Sequence, residues 1–253
     1  MGIIMERGQP PHIIYPGPDP HTPLIDMAST RTIPYSLLAS STTLILLCLS
    51  LPSALSLTPD EQTAALQPHN SFRQSLAQGR VLNSNASPLP PGRNIYSLTY
   101  DPGLEQIAQA WADKCQFTHS PAQVRNNSGE NLYYTTAQLG AGKVLPDAAQ
   151  AWWKEIGDLG WSGDTSSMLF TLQQCNAGLG HWTQMAWDST TRLGCGVRYC
   201  PGKFTLVVCN YSPAGNILNR RVYEPGAPCR EDAECTSYPS STCNATANLC
   251  SVV

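Results

Sequence analysis

The sequence predicts an α+β fold on three observations. Amphipathic, helix-like segments occupy the chain from about residue 58 to 157, and two strand-like segments joined by a tight turn follow near residues 195–211. After Pro225 come four cysteines with almost no large apolar residues between them. Helices first and strands later is a pattern that segregates into layers packed on one core, with the last segment as an appendage. A chain of 253 residues with net charge −3 and 13% charged residues fits one globular domain with appendages. There is no Lys/Arg run, and the mild acidic excess excludes nucleic acid as the partner.

In chain order, residues 1–26 are rich in Pro with little apolar content and read as an extension or mispredicted start without a fold. Residues 37–51, "LLASSTTLILLCLSL", are apolar, follow Arg31, and lead to Ala54 and Ser56 at the spacing signal peptidase requires, so residues 27–56 read as a signal peptide. A membrane helix needs roughly 20 apolar residues, which makes a retained membrane anchor the weaker reading. The mature chain then begins near Leu57, with a main domain over 57–224 and a cysteine-rich tail over 225–253. Removing the signal takes Cys48 from ten cysteines and leaves nine, an odd number that implies a free or intermolecular thiol in an oxidising, extracellular compartment.

Thr58, Pro59 and Glu61 supply an N-cap, a proline suited to the first helical position and a capping-box glutamate, predicting a helix from here to near Gly79. Pro68 falls inside it and predicts a kink or a split. "NSNASPLPPGRN", residues 83–94, is a loop by composition. Asp101 caps a second helix whose Leu104, Ile107, Ala108 and Trp111 recur at helical spacing. A third helix over "PDAAQAWWKEIG" starts at an Asp147 cap and ends near Gly157, and the Gly/Ser/Thr-rich stretch to Gly180 predicts a long loop. "CGVRYC" and "FTLVVCNY" flanking "PGK" predict a β-hairpin. Cys229, Cys235, Cys243 and Cys250 predict a tail held by two disulfides, because so small a piece cannot fold on a hydrophobic core. The alternative, a zinc knuckle, lacks the close CxxC pairs.

Chemistry-bearing residues are few. The mature chain has His69, His119 and His181, with Glu130 eleven residues beyond His119 and Glu155 beside Trp152 and Trp153. Each also has an ordinary role: His119 as a helix C-cap, Glu130 as a turn residue, Glu155 as a solvated helix residue.

"GHWTQMAWDST" (180–190) and "VVCNYSPAGNI" (207–217), with "HNSFR", "FTHS" and "GENLYY" in the same order, resemble the family of cysteine-rich secretory proteins, antigen 5 and plant pathogenesis-related 1 proteins. Within it the chain is most similar to the nematode venom allergen-like and Ancylostoma-secreted type. The resemblance covers Thr58 to Tyr223 and implies a three-layer α-β-α sandwich with a mostly antiparallel central sheet. It also implies a cleft that gathers His119, Glu130, Glu155 and His181. Two neutral imidazoles with carboxylates nearby suit a divalent ion such as zinc, and these four residues are the candidate metal set. His69 belongs to the "HN" motif and reads as structural.

The resemblance implies a secreted binding or effector protein whose partner is a sterol, another lipid or a host protein. One alternative is a metal-dependent hydrolase using the same four residues, against which stand the lack of an HExxH pair and of a GxSxG elbow, with neither Ser120 nor Cys115 a convincing nucleophile. Another is a receptor or channel ligand acting through the tail, with Tyr238 and Arg230 as its contacts. By resemblance Cys115 pairs with Cys200 and Cys195 with Cys209, the four tail cysteines pair among themselves, and Cys175 remains as a free thiol or the bridge of a disulfide dimer. Asn85, Asn126 and Asn244 lie in glycosylation sequons in expected loops, while Asn210 matches within a strand motif and is expected to stay unmodified.

Overall fold

The structure, a computed structural model, describes residues 56–202 and 204–253. The expected extension (1–26), all of the expected signal peptide (27–56) but Ser56, and Cys48 lie outside the described residues. In order, the elements are α1 (Pro59–Ala77), β1 (Gly92–Arg93), β2 (Thr99–Tyr100), α2 (Pro102–Ala112), β3 (Gly129–Thr135), α3 (Ala141–Leu159) and α4 (Leu172–Asn176). They continue with α5 (Gly180–Ala186), β4 (Arg192–Cys200), β5 (Phe204–Ser212), β6 (Glu224–Pro225), β7 (Thr242–Asn244) and β8 (Leu249–Ser251).

The start of α1 follows its local code: Thr58 Oγ1 accepts from Glu61 N at 3.3 Å, and the Glu61 carboxylate accepts from Thr58 N at 2.9 Å. The split that Pro68 could have caused does not occur: α1 runs as one continuous helix through it. Its buried stripe, Ala65, His69, Arg73 and Leu76, continues across the proline and holds both halves to one core. Pro68 deprives one carbonyl of its donor, and the next, Ala65 O, accepts from His69 Nδ1 at 2.7 Å. Arg73, fully buried, donates to five carbonyls, those of Tyr96, Met185, Trp187, Asp188 and Thr190, and so ties α1 to the chain around α5.

The third helix starts earlier than its predicted Asp147 cap. It begins at Ala141 and carries Pro146 inside, because buried Val144 and Leu145 extend the apolar face of Ala148, Ala149, Trp152, Trp153 and Ile156 upstream. Asp147 pairs instead with Lys143 at 2.8 Å. The stretch predicted as a long loop contains α4, which a Thr171–Gln174 capping box starts.

Four strands form the central sheet in the order β2-β4-β5-β3; β2 runs parallel to β4 and the other pairings are antiparallel. Alternation along β5 divides the core. Val207, Cys209 and Tyr211 pack with α1, α3 and α5, whereas Leu206 and Val208 pack with Ala108, Trp111 and Ala112 of α2. Helices therefore cover both faces of the sheet. The α2 backbone lies directly on β4: a Cβ at Gly194 would come within 2.2 Å of Glu105 N, and one at Gly196 within 2.4 Å of the Gln109 Cα. Only glycine permits so close an approach.

Among the described residues there are four disulfides: Cys115–Cys200, Cys195–Cys209, Cys229–Cys243 and Cys235–Cys250. The tail cysteines are thus oxidised, which overturns the zinc-knuckle alternative, since zinc binds thiolate. The tail also docks on Tyr96, whose ring meets Tyr238 edge-on at 5.0 Å and whose hydroxyl bonds Ser241 Oγ at 2.9 Å. Cys175 is free and buried, and burial pushes its thiol up to about 11. So placed, it is not presented to a partner chain, and a disulfide dimer through it would require α4 to open.

A candidate metal site of two histidine–carboxylate pairs

His119, in the loop after α2, meets Glu130 of β3: Nδ1 lies 2.8 Å from Oε1. The same carboxylate accepts from Ser120 N at 2.8 Å and Ser120 Oγ at 2.6 Å, with Arg125 Nη1 at 4.0 Å. Burial pushes the Glu130 carboxyl up, but the hydrogen bonds and charge from His119 and the bonds from Ser120 outweigh it and hold it below the usual range. Arg125 is buried too, donating to the carbonyls of Ser128 and Ser120.

His181, at the start of α5, meets Glu155 of α3 with Nδ1 2.5 Å from Oε1. The second oxygen accepts from the backbone N–H of His181 at 3.1 Å and of Trp182 at 2.9 Å. Those amides have no acceptor within the helix, and a carboxylate there also meets its positive end. Trp152 stacks on the His181 ring at 6.0 Å.

In both pairs the carboxylate side chain is 1% exposed while the imidazole is about a third exposed, 31% for His119 and 29% for His181. A carboxylate accepts, so neutral imidazole carries its proton on Nδ1 and its lone pair on Nε2. Glu130 and the next residue, Asn131, point to opposite faces of the edge strand β3. Asn131 Nδ2 donates to the His181 carbonyl at 3.1 Å and to Tyr211 Oη at 3.3 Å. The two pairs are therefore joined through β3, whose Asn131 bonds the backbone of His181.

His69 is the histidine left outside. It is fully buried, with Nδ1 on the Ala65 carbonyl and Nε2 2.9 Å from Tyr211 Oη. Burial lowers its pKa to about 4, the Ala65 bond raises it and Arg73 lowers it further. Ser120, Arg125, Asn131 and Tyr211 are parts of the site that sequence reasoning passed over. Ser120 closes the "FTHS" motif and was weighed only as a nucleophile, and Arg125 five residues on was the available signal for the second.

A model of the cysteine-rich secretory protein family (CAP) matches residues 66–211. The chain belongs to that family. It is 35% identical over 203 residues to the Ancylostoma secreted protein of Ancylostoma caninum, covering 79% of this chain and 46% of that protein, so it spans less than half the relative's length. It is also 35% identical to venom allergen 5 of Dolichovespula arenaria, covering 66% of this chain and 82% of the allergen. Among solved structures, that described as NaASP2 with Zn2+ superposes with a TM-score of 0.69 at 30% identity, covering 77% of this chain and 97% of the other.

Two further features of this CAP protein bear on ligands. Among the described residues, three Cys, His, Asp or Glu ligand atoms within 4.8 Å of one another occur at Cys229, Cys235 and Cys243, whose sulfurs are in disulfides. Bound in disulfides, those sulfurs offer a metal no thiolate. Separately, a groove of about 640 Å³ runs along α2, with Leu104, Ile107, Trp111 and Val124 as apolar lining and Lys114 and Arg192 as cations; none of the four His/Glu residues lines it. No helix among the described residues is long and apolar enough to cross a membrane.

Proposed function

We propose that this chain is a secreted CAP protein that acts by binding, with His119 and His181 as the nitrogen ligands of a divalent ion such as zinc. The observation that carries the reading is the orientation of the two imidazoles, each held by Nδ1 on a buried carboxylate at 2.8 Å and 2.5 Å. This is the arrangement by which carboxylates set the tautomer and raise the basicity of metal-binding histidines. A metal supplies charge and open coordination positions when bound; the chain's own work is to hold Nε2 of each ring toward it. Glu130 and Glu155 orient rather than ligate, since both already accept several bonds. The structure of NaASP2 with Zn2+ supports zinc as the ion.

The same saturation disfavours the hydrolase reading, because a carboxylate accepting from an imidazole and from backbone amides is poorly placed as a general base. Ser120 donates its hydroxyl to Glu130, a carboxylate held below the usual range and so a weak base toward that hydroxyl. For the partner, the groove along α2 is of a volume that takes a small lipid, so a fatty acid or sterol stands ahead of a tail-mediated receptor contact. Tyr238, one of the two candidate tail contacts, is committed to Tyr96 and to the Ser189 carbonyl. Secretion is supported by relatives named as a secreted protein and a venom allergen. Asn85, Asn126 and Asn244 are exposed and open to glycans, whereas Asn210 is buried.

The test is native mass spectrometry and zinc titration of the secreted protein beside a His119→Ala, His181→Ala double variant, with fatty acid and sterol binding measured on the same pair. Zinc retained by the double variant refutes the ligand assignment. Lipid bound equally by both puts the lipid site outside the cleft, in keeping with the groove along α2. Binding of neither zinc nor lipid by the wild type moves the tail-mediated reading to first place.

A further inference from the structure

The start of the described chain carries an arrangement that neither the histidines nor the groove uses. Leu57 N lies 2.9 Å from Oε1 of Glu105 on α2, and Gln62 Nε2 on α1 lies 3.0 Å from Oε2. Glu105 is only 3% exposed. Among the described residues, no Lys, Arg or His side chain forms an ion pair with it. The other titratable groups facing this point are Tyr100 on β2, which contacts Glu105, and Glu61 on α1, whose carboxylate is turned to Thr58. Buried carboxylates are rare without a paired cation, and one left unpaired is costly. An internal backbone amide offers Glu105 a dipole and no charge.

The sequence around this point can supply the charge. Ala54 and Ser56 stand at the positions where signal peptidase requires small residues, which directs hydrolysis to the Ser56–Leu57 bond. Water adds across that C–N bond, leaving a carboxylate on Ser56 in the departing peptide and an amino group on Leu57. That amine binds a proton near neutral pH, with an ordinary pKa of about 8.

We infer that the mature chain begins at Leu57 and that its new α-ammonium forms an ion pair with Glu105, so that signal cleavage completes a buried charge pair between α1 and α2. This rests on the proposed secretion. The terminus has little freedom to leave, because the Leu57 side chain packs against the core and Thr58 already caps α1. A carboxylate partner raises the folded-state pKa of the amine. Its contribution to stability is therefore fully present below the unfolded value near 8 and is lost as pH rises through the folded value.

The experiment expresses the full chain in a secreting cell, sequences the N-terminus of the exported protein and follows acylation of its α-amino group by mass spectrometry against pH. A product beginning at Leu57, with its amine acylated about tenfold or more slowly at pH 7.5 than in Glu105→Gln, is the expected result. If Glu105→Gln does not fold, the wild-type profile decides alone: a midpoint above 8 supports the pair and one at the ordinary value refutes it. Export of a chain beginning elsewhere overturns the pair and leaves secretion standing. Retention of the uncleaved chain inside the cell overturns both.

Discussion

The two histidine–carboxylate pairs present the same chemistry and are built by different means. Glu130 is eleven residues from His119, and a short loop supplies its other partners: the amide and hydroxyl of Ser120 and, at 4.0 Å, the buried guanidinium of Arg125. Glu155 is twenty-six residues from His181 and answers to no nearby arginine or lysine among the described residues; its second oxygen takes the first amides of α5, so it holds one helix against another. The first carboxylate neutralises a buried cation. The second satisfies a helix end. An identical imidazole geometry can thus rest on local charge balance in one place and on helix–helix packing in another, and the two should fail differently.

The largest effect separates them. Glu130→Ala strands Arg125 and is expected to cost about 3–5 kcal/mol, while Glu155→Ala leaves backbone amides without an acceptor and is expected to cost about 2 kcal/mol. Urea unfolding of both variants measures the order, and the reverse order would show that Arg125 is not what distinguishes the pairs. Next comes the histidine without a carboxylate. Because burial lowers His69 to about 4, the unfolded chain takes a proton there between pH 6.5 and 4 while the folded chain does not, so acidification favours unfolding. Relative to a His69→Gln variant, the wild type should lose about 3 kcal/mol across that window; parallel stability curves for the two proteins would refute the assignment. The smallest effect reads the tautomer. In Glu155→Gln the amide can donate to Nδ1, which moves the imidazole proton to Nε2. Zinc affinity should fall by about tenfold with the fold intact, and an unchanged titration would mean that the carboxylate does not set the tautomer.

Much of the scaffold was legible because its signals are local. Thr58 and Glu61 start α1 and Asp101 starts α2 through bonds that span two or three residues. The hairpin of β4 and β5 follows from alternation and a turn. Where local rules failed, burial had overruled them: α1 passes through Pro68 and α3 begins six residues ahead of Asp147, because each apolar face continues beyond the residue that ordinarily breaks or starts a helix. Cys175 was recognisable as the odd thiol by counting, but only its burial inside α4 shows that it is withheld from partners.

The sequence by itself determined an α+β chain with a cysteine-stapled tail and, through its ordered motifs, the four residues worth watching. Tertiary structure alone decided which glutamate holds which histidine, that both carboxylates are already saturated, and that Glu105 receives the backbone nitrogen of Leu57. The physical reason is distance along the chain. Caps, turns and periodic faces are settled among near neighbours, whereas the partners of a buried carboxylate are chosen by packing. Glu155 and His181 come together only because α3 and α5 cover the same face of one sheet, and Leu57 reaches Glu105 across 48 residues because the start of α1 meets the first turn of α2.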